Sequence, residues 1–365
     1  MLPKMSVGRR IMRSVACLLP PTARWRVFQL QAGRRPLAEV PCEVLAEHAD
    51  GRVEATMPEN FDYQSSIAVF ALSDGYATHH GATLTRDGYV VPELSREWNP
   101  QPVGHCKLLK PKFMPAVEFV KGPVASITLE HNSNYCHFLF EALPRLEILR
   151  RCGLGDVRIY ANAAKAYQRD YFDLLGLKDA RLINAGEHRL IQSDRLLVPT
   201  YGGYQGKFPQ WVVDYLRAAF LPLVEREKPL QPGSRRIYIT RKDADSRRIL
   251  GEEDLIRDLE RKNFEIVTLG GMPVREQIRL FAEASVLVAA HGASLTNMVY
   301  AGPQCRMLEI FPSNFFFDCY QKLSEKSGAR PEHISCEPVQ VGAGKLAQDL
   351  VLGESERRKI LDFAG

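Results

Sequence analysis

The chain has 365 residues, 45% hydrophobic and 25% charged, enough for two domains that each bury a core. No apolar stretch approaches the roughly 18 uninterrupted residues that span a bilayer, which argues against an integral membrane protein. The net charge is +5, but residues 1–36 carry eight basic side chains and no acid, so the remainder stands at −3 and lacks the broad basic surface of a nucleic-acid binder.

In the basic arm, Arg9, Arg10 and Arg13 alternate with Met5, Ile11, Met12, Val15, Leu18 and Leu19. Two readings stand: an amphipathic helix on an anionic membrane surface, or a frayed basic terminus. The short apolar run 14–19 stops at Pro20-Pro21, unlike a secretory leader. Eight scattered cysteines without a C-x-x-C pair read as reduced thiols. The expectation is a cytoplasmic chain, with the arm as its contact with the inner face of the membrane.

Residues 39–97 read as strands and turns, with a hairpin at Asp87-Gly88 between the apolar runs 82–85 and 89–91. Next come a strand at 124–129, a helix at 135–150 that Pro144 kinks or splits, a strand at 157–161, a helix at 168–175 and a strand at 181–184. A long helix at 211–227 runs into Pro229, Pro232 and Gly233, a linker composition. Beyond it strands and helices alternate: 236–240 and 253–261, 264–269 and 274–284, 286–290 and 294–300, 307–311 and 316–327, then a strand at 334–338. That rhythm predicts a parallel sheet with helices on both faces. The expected division is an arm (1–36), a first α/β domain (37–230), a second (234–345) and a C-terminal helix (346–365) packing back on the first.

Open parallel sheets bind ligands beyond the carboxyl ends of their strands, so chemistry is sought there. After strand 236–240 come Arg241, Lys242, Arg247 and Arg248, a candidate diphosphate clamp, or else a solvated loop pairing with Asp243 and Asp245. After strand 286–290 come His291, Gly292, Ala293, Ser294, Leu295, Thr296 and Asn297. Small residues admit a phosphate, Ser294 is a candidate N-cap, and the helix start favours an anion. After strand 124–129, His137, Glu141 and Arg145 fall at i, i+4 and i+8, one helical face with a base, a carboxylate and a cation, or else a charge ladder. There is no G-x-G-x-x-G, no Walker motif and no G-x-S-x-G, so dehydrogenase, P-loop and α/β-hydrolase chemistry lack support.

Two segments together resemble glycosyltransferase family 61, which includes enzymes of capsular and surface polysaccharides. One is Asn134-Tyr135-x-His137-Phe138-Leu139-x-Glu141-x-Leu143-Pro144-Arg145. The other runs from Ile239-Thr240-Arg241 through Arg247-Arg248-Ile249, Glu252, Glu276-Gln277-Ile278 and His291-Gly292-Ala293-Ser294-Leu295-Thr296-Asn297 to Glu309. The resemblance spans residues 124–312, about half the chain. One departure is Gly251, where the family commonly has asparagine before the glutamate.

The resemblance implies a GT-B architecture, two Rossmann-like domains facing each other across a cleft. It implies inverting transfer from a UDP-sugar to a hydroxyl of a glycan or lipid-linked glycan, with no metal and no cofactor, in capsule or cell-envelope polysaccharide synthesis. On that reading His137 or Glu141 is the base, His137 being favoured because imidazole needs little tuning near neutrality. Asn134, Arg145, Arg241, Arg247, Arg248 and residues 291–297 bind the donor, with Asn297 alternatively holding the His291 loop together and His137 alternatively contacting the donor phosphate, and Glu309 accepts from a ribose or sugar hydroxyl. Arg145 also serves as a candidate for orienting Glu141, and Glu276 and Gln277 brace the donor loops. The alternative is a non-catalytic nucleotide-sugar or glycan-binding protein on the same scaffold.

Overall fold

A computed structural model describes residues 35–48, 50–57, 59, 61–62, 66–95, 116–178, 180–203, 206–342 and 347–365. The basic arm, apart from Arg35 and Pro36, lies outside them. The chain is mixed α/β and divides into two compact units, residues 1–202 and 203–365.

Unit 1 is built on a mixed sheet. Its strands are β1 (Glu43–Glu47), β2 (Val53–Glu54), β3 (Ala68–Thr78), β4 (Thr83–Leu84), β5 (Glu118–Ser126), β6 (Arg158–Ala161), β7 (Leu182–Asn184) and β8 (Leu190–Pro199). The order is β2-β1-β3-β8-β5-β6-β7, with β4 paired to β3. The β8–β5–β6–β7 pairs are parallel and the rest antiparallel. The expected hairpin forms, with Leu84 bridging Val90. Buried Phe70, Leu72, Val124, Tyr160, Ile191 and Leu196 share one apolar cluster.

The helical stretch after β5 is not one helix. It is α1 (Tyr135–His137), a π-turn (Phe138–Ala142) and α2 (Pro144–Arg151). Pro144 stands at the first position of α2, where its missing N–H costs no helical bond. α3 (Ala166–Leu174) follows β6.

Unit 2 opens with α4 (Gln210–Glu227), which belongs to this unit rather than to the first domain as expected. Arg217 on α4 donates to the carbonyls of Val299 and Ala301, and Arg279 reaches back to the carbonyl of Val224. The boundary between compact units therefore lies before α4, at residues 202/203, rather than at the proline-rich stretch 229–233.

The strands of unit 2 are β9 (Arg235–Ile239), β10 (Ile249–Leu250), β11 (Glu265–Val267), β12 (Ala284–Ala290), β13 (Arg306–Pro312), β14 (Arg330–Gln340) and β15 (Gln348–Val351). The order is β10-β15-β14-β13-β12-β9-β11, parallel throughout except β14 against β15. The helices are α5 (Glu253–Arg261), α6 (Val274–Ala282), α7 (Cys319–Ser327) and α8 (Glu354–Ala364), with a 3-10 helix at Ala293–Tyr300.

From Val286 to Ala290 β12 is continuously apolar because it is covered on both faces and has strand neighbours on both sides. α5 buries Leu255 and Leu259, one turn apart, each contributing roughly 1.5–3 kcal/mol. The same cluster takes in Ile360 and Phe363 of α8, while the carbonyls of Phe363 and Ala364 accept from Arg306 and Arg236. The C-terminal helix thus packs on unit 2, not back on the first domain.

From β9 the chain goes first to β11 on one side and then to β12 on the other. The crevice between the exits of β9 and β12 is therefore a topological switch point. Ala289 pairs with Ile239 on one side and with Glu309 on the other, which sets the exits of β9 and β12 at one level, beside Glu309 in the middle of β13.

Candidate functional site

At the switch point of unit 2, Arg241 leaves β9 and Arg247 follows six residues later. Arg241 Nε donates to the Ser246 carbonyl at 3.1 Å. Neither guanidinium makes an ion pair with a described carboxylate. Arg247 holds a left-handed backbone at φ 58° and its Nε is buried without a hydrogen-bond partner. Burial, and then the charge of Arg247, push Arg241 down to about 10, and burial lowers Arg247 as well. Two half-buried cations that share no direct ion pair with a carboxylate, Asp243 and Asp349 acting on Arg241 only through space, form a site that an anion would relieve.

Arg248 does not belong to this pair. Its Nε and Nη2 donate to Asp349 Oδ2 at 2.9 and 2.6 Å, and its N–H to Oδ1 at 3.0 Å. The side chain that was read as a third clamp residue instead ties β10 to β15, because Asp349 is fully buried and needs the cation. Asp243 also works locally, accepting from Gly270 N–H at 2.9 Å.

Gly292 is explained by space. Its backbone is extended at φ 175°, which any residue adopts, but an added Cβ would collide with the Arg241 guanidinium. Its lack of a side chain lets the arginine lie against the turn. Ser294 is not the N-cap. The helix is 3-10, starts at Ala293 and has Gly292 at its cap, and the Ser294 hydroxyl is buried with no partner. The Thr296 hydroxyl is likewise buried and unpartnered, and Leu295 is wholly buried.

His291 Nδ1 lies 2.6 Å from Glu309 Oε1, and its ring stacks on Phe311 at 4.9 Å and 28°. Glu309 Oε2 accepts from Gln321 at 3.2 Å. With 0% exposure and both oxygens engaged, Glu309 is not a hydroxyl acceptor; it holds the histidine. Asn297 donates to Gln277 Oε1 at 3.0 Å, and Gln277 donates to the Met272 carbonyl at 2.8 Å, which fastens the 3-10 helix to α6. Glu276 is exposed on α6. Behind Arg241, buried Glu252 accepts from the Tyr238 and Thr240 hydroxyls. Gly251 before it sits at φ 70° with open space at its missing Cβ, a conformation that glycine and asparagine share. The departure from the family's asparagine is therefore a change between two residues suited to one turn.

In unit 1, the Asn134 side chain accepts from the Cys136 and His137 N–H groups at 2.9 and 3.4 Å, capping α1. His137 Nδ1 lies 2.8 Å from Glu141 Oε1 across the π-turn, and the His131 ring lies 5.6 Å from that of His137. Arg145 leaves this face. It is 1% exposed, donates from Nε and Nη2 to the Pro199 carbonyl at 3.1 and 2.7 Å and from Nη1 to the Thr128 carbonyl at 3.3 Å, and lies over Tyr201. The extra residue of the π-turn rotates α2, so the i+8 position turns into the core and braces β8. Buried at that depth, Arg145 is a brace rather than a donor contact.

Sequence reasoning missed Gln321, Glu252 and Asp349 as partners; each acts through the fold rather than through a local motif. No group of three or more His, Cys, Asp or Glu fit to hold a metal occurs among the described residues, and no described helix is long and apolar enough to cross a membrane.

Residues 135–308 match the model of the family Glycosyltransferase 61. A beta-1,2-xylosyltransferase, RCN11, of Oryza sativa subsp. japonica is 48% identical over 44 residues, a stretch that covers 12% of this chain and only 8% of that protein. Among solved structures, the dodecameric iron-containing heptosyltransferase TibC with ADP-D-beta-D-heptose is 14% identical, covering 90% of this chain and 85% of that one, at a TM-score of 0.27, too low to bear on the fold. The match over residues 135–308 takes in both the histidine–glutamate pair of unit 1 and the arginine pair of unit 2, so the two candidate sites lie within the region similar to glycosyltransferase family 61.

Proposed function

We propose that the chain is an inverting glycosyltransferase that uses a nucleoside-diphosphate sugar, with UDP as the nucleotide. The observation that carries the reading is the Arg241–Arg247 pair, free of carboxylate partners, at a switch point beside a fixed imidazole. The family match over residues 135–308 supports the reaction class. The two α/β units are taken as the two halves of a GT-B enzyme on the strength of that family.

The reaction is a single displacement. The acceptor hydroxyl oxygen attacks the anomeric carbon, and the bond from that carbon to the diphosphate oxygen breaks with its electron pair leaving on the diphosphate. In unit 1, Glu141 on Nδ1 directs Nε2 of His137 to take the hydroxyl proton. In unit 2, Arg241, Arg247 and the turn at Gly292–Ser294 meet the charge that grows on the leaving group. Two fixed cations fill the place a divalent metal would otherwise take, so the proposed reaction runs without one. The acceptor is a glycan or lipid-linked glycan of the cell envelope, and the basic arm is the proposed membrane contact.

The test is a titration of UDP, GDP and CMP by calorimetry, with and without EDTA, followed by incubation with UDP-sugars. The rice relative's name adds UDP-xylose to the donors worth including. EDTA-insensitive UDP binding and release of UDP from a UDP-sugar support the proposal. Absence of nucleotide binding to the folded protein sinks it, and binding without turnover on any donor favours a carbohydrate- or nucleotide-binding protein instead.

A further inference from the structure

We propose that Phe316 is the platform on which the sugar ring of the nucleotide-sugar donor stacks, with His333 beside it as a polar contact for a sugar hydroxyl. This rests on the nucleotide site proposed above and extends it from the diphosphate to the group that is transferred.

The platform grows out of the strand next to the anion turn. Ala290, the last residue of β12, pairs with Ile310, so Phe311 and Pro312 carry β13 past the end of β12. Glu309 and Phe311 are two apart on β13 and share a face. The carboxylate of the first lies 2.6 Å from His291 Nδ1, and the ring of the second stacks on the same imidazole at 4.9 Å. After Pro312 the chain turns back, with the Phe315 N–H donating to the Pro312 carbonyl at 3.1 Å, and lays Phe316 on the Phe311 ring at 4.8 Å. His333, which stands opposite Glu309 in the register of β14, closes the file at 4.9 Å from Phe316. Rings therefore run without a break from His291, at the turn where Gly292 meets Arg241, through Phe311 to Phe316 and His333.

The surface suits a sugar in its rigidity, its chemistry and its reach. Phe316 is backed by two rings and is still 55% exposed. An aromatic ring already held in place loses little freedom when a ligand covers it. Its neighbour Phe317 is held as well, since its ring lies where a Cβ on Gly206 would be, 2.6 Å from that atom. Residues 313–317 carry no charge, so this side of the site does not compete with the arginines for phosphate. A phenyl ring has no group with which to read the edge of a nucleobase, but the C–H face of a pyranose needs only a flat apolar surface. The hydroxyls of that pyranose project from its rim, where the ring nitrogens of exposed His333 can donate or accept. Neighbouring strands lie about 4.8 Å apart, so β13 is one short step from the turn that meets the diphosphate. The transferred sugar is bonded directly to that diphosphate and spans such a step, whereas the base stands off by the whole ribose.

The experiment is calorimetry of UDP, UDP-glucose, UDP-N-acetylglucosamine and UDP-xylose with the full chain and with Phe316→Ala. The alanine variant should bind the tightest of the three UDP-sugars about fivefold to twentyfold more weakly, and UDP itself within about twofold of the parent. Its donor KM should rise in step while the melting temperature stays near that of the parent, because the ring is largely exposed. Phe316→Tyr keeps the flat ring and should restore the parent's affinity for the UDP-sugar. Equal weakening of UDP and UDP-sugar would assign the ring to the nucleoside and overturn the proposal. Unchanged affinity for all four ligands overturns it too, whether or not transfer to an acceptor is slowed. Either result leaves the nucleotide site standing, and failure of the parent to bind UDP removes both.

Discussion

The two histidine–glutamate pairs of this chain share a contact, carboxylate to Nδ1, and differ in how the fold supplies it. His137 and Glu141 are four residues apart on a turn, with side chains 17% and 10% exposed. His291 and Glu309 are eighteen residues apart, one just past the end of β12 and the other within the neighbouring parallel strand β13, with side chains 7% and 0% exposed. The local pair needs only a turn of helix and keeps its imidazole accessible to a substrate. The distant pair needs strand register, an α7 glutamine and an aromatic stack, and locks its imidazole in place. On the proposed function, the first ring takes the acceptor's proton and the second lies beside the leaving diphosphate.

Removing the histidine of the first pair breaks the comparison most directly. His137→Ala should lower kcat by about a hundredfold to ten-thousandfold, the range for a lost general base, and leave UDP affinity close to that of the parent. A collapse of UDP affinity with kcat little changed would make His137 a donor ligand and move the base to Glu141.

The next effect concerns the arginine that Gly292 makes room for. Arg241→Ala should weaken UDP about tenfold to a hundredfold, the loss expected of charged hydrogen bonds, with the melting temperature unchanged. Gly292→Ala should mimic it, because a methyl group would occupy the guanidinium's position. Combined, the two changes should cost little more than one alone. Additive losses would show that Gly292 serves some purpose other than admitting Arg241.

Arg248 sharpens the contrast between clamp and brace. Arg248→Ala should leave UDP affinity within about twofold while lowering the melting temperature, since Asp349 would stay buried without its cation. Burial raises Asp349, but the hydrogen bonds and charge of Arg248 outweigh it and hold the carboxyl below the usual aspartate range. A depressed carboxylate stabilises the fold fully above its unfolded value and loses that contribution as pH falls through the folded one. The parent should therefore destabilise in acid below about pH 4, and Arg248→Ala should flatten that slope. An unchanged acid limb would detach the bridge from stability.

The same contrast marks what was legible beforehand. The spacing of His137 and Glu141 is visible in the sequence, and so is the strand–helix rhythm of unit 2. Glu309 was visible as a residue but not as the partner of His291, because nothing in the chain between them states that β12 and β13 are neighbours in register. Arg145 shows the opposite failure: the i+8 spacing holds only for an unbroken helix, and the π-turn spoils it. β8 escaped notice although it is central to its sheet, since Asp194 and Arg195 interrupt its apolar residues midway. Ser294 had the composition of a cap, but the turn becomes a 3-10 helix one residue earlier.

The smallest expected effect tests the scaffold behind the arginine pair. Glu252 gathers the Tyr238 and Thr240 hydroxyls at the root of the Arg241 loop, and Gly251 turns the chain so that Glu252 can reach them. With φ at 70° and nothing within 4 Å of its missing Cβ, this position is constrained by backbone conformation alone. Gly251→Asn should therefore change stability by less than about 0.5 kcal/mol and UDP affinity not at all, since asparagine tolerates the left-handed region. Gly251→Val, whose Cβ is likewise unobstructed but branched, should cost about 1–2 kcal/mol. Equal melting temperatures for the two variants would show that the turn relaxes at no cost. A gain in UDP affinity with asparagine would instead assign its side chain a part in binding that this chain does without.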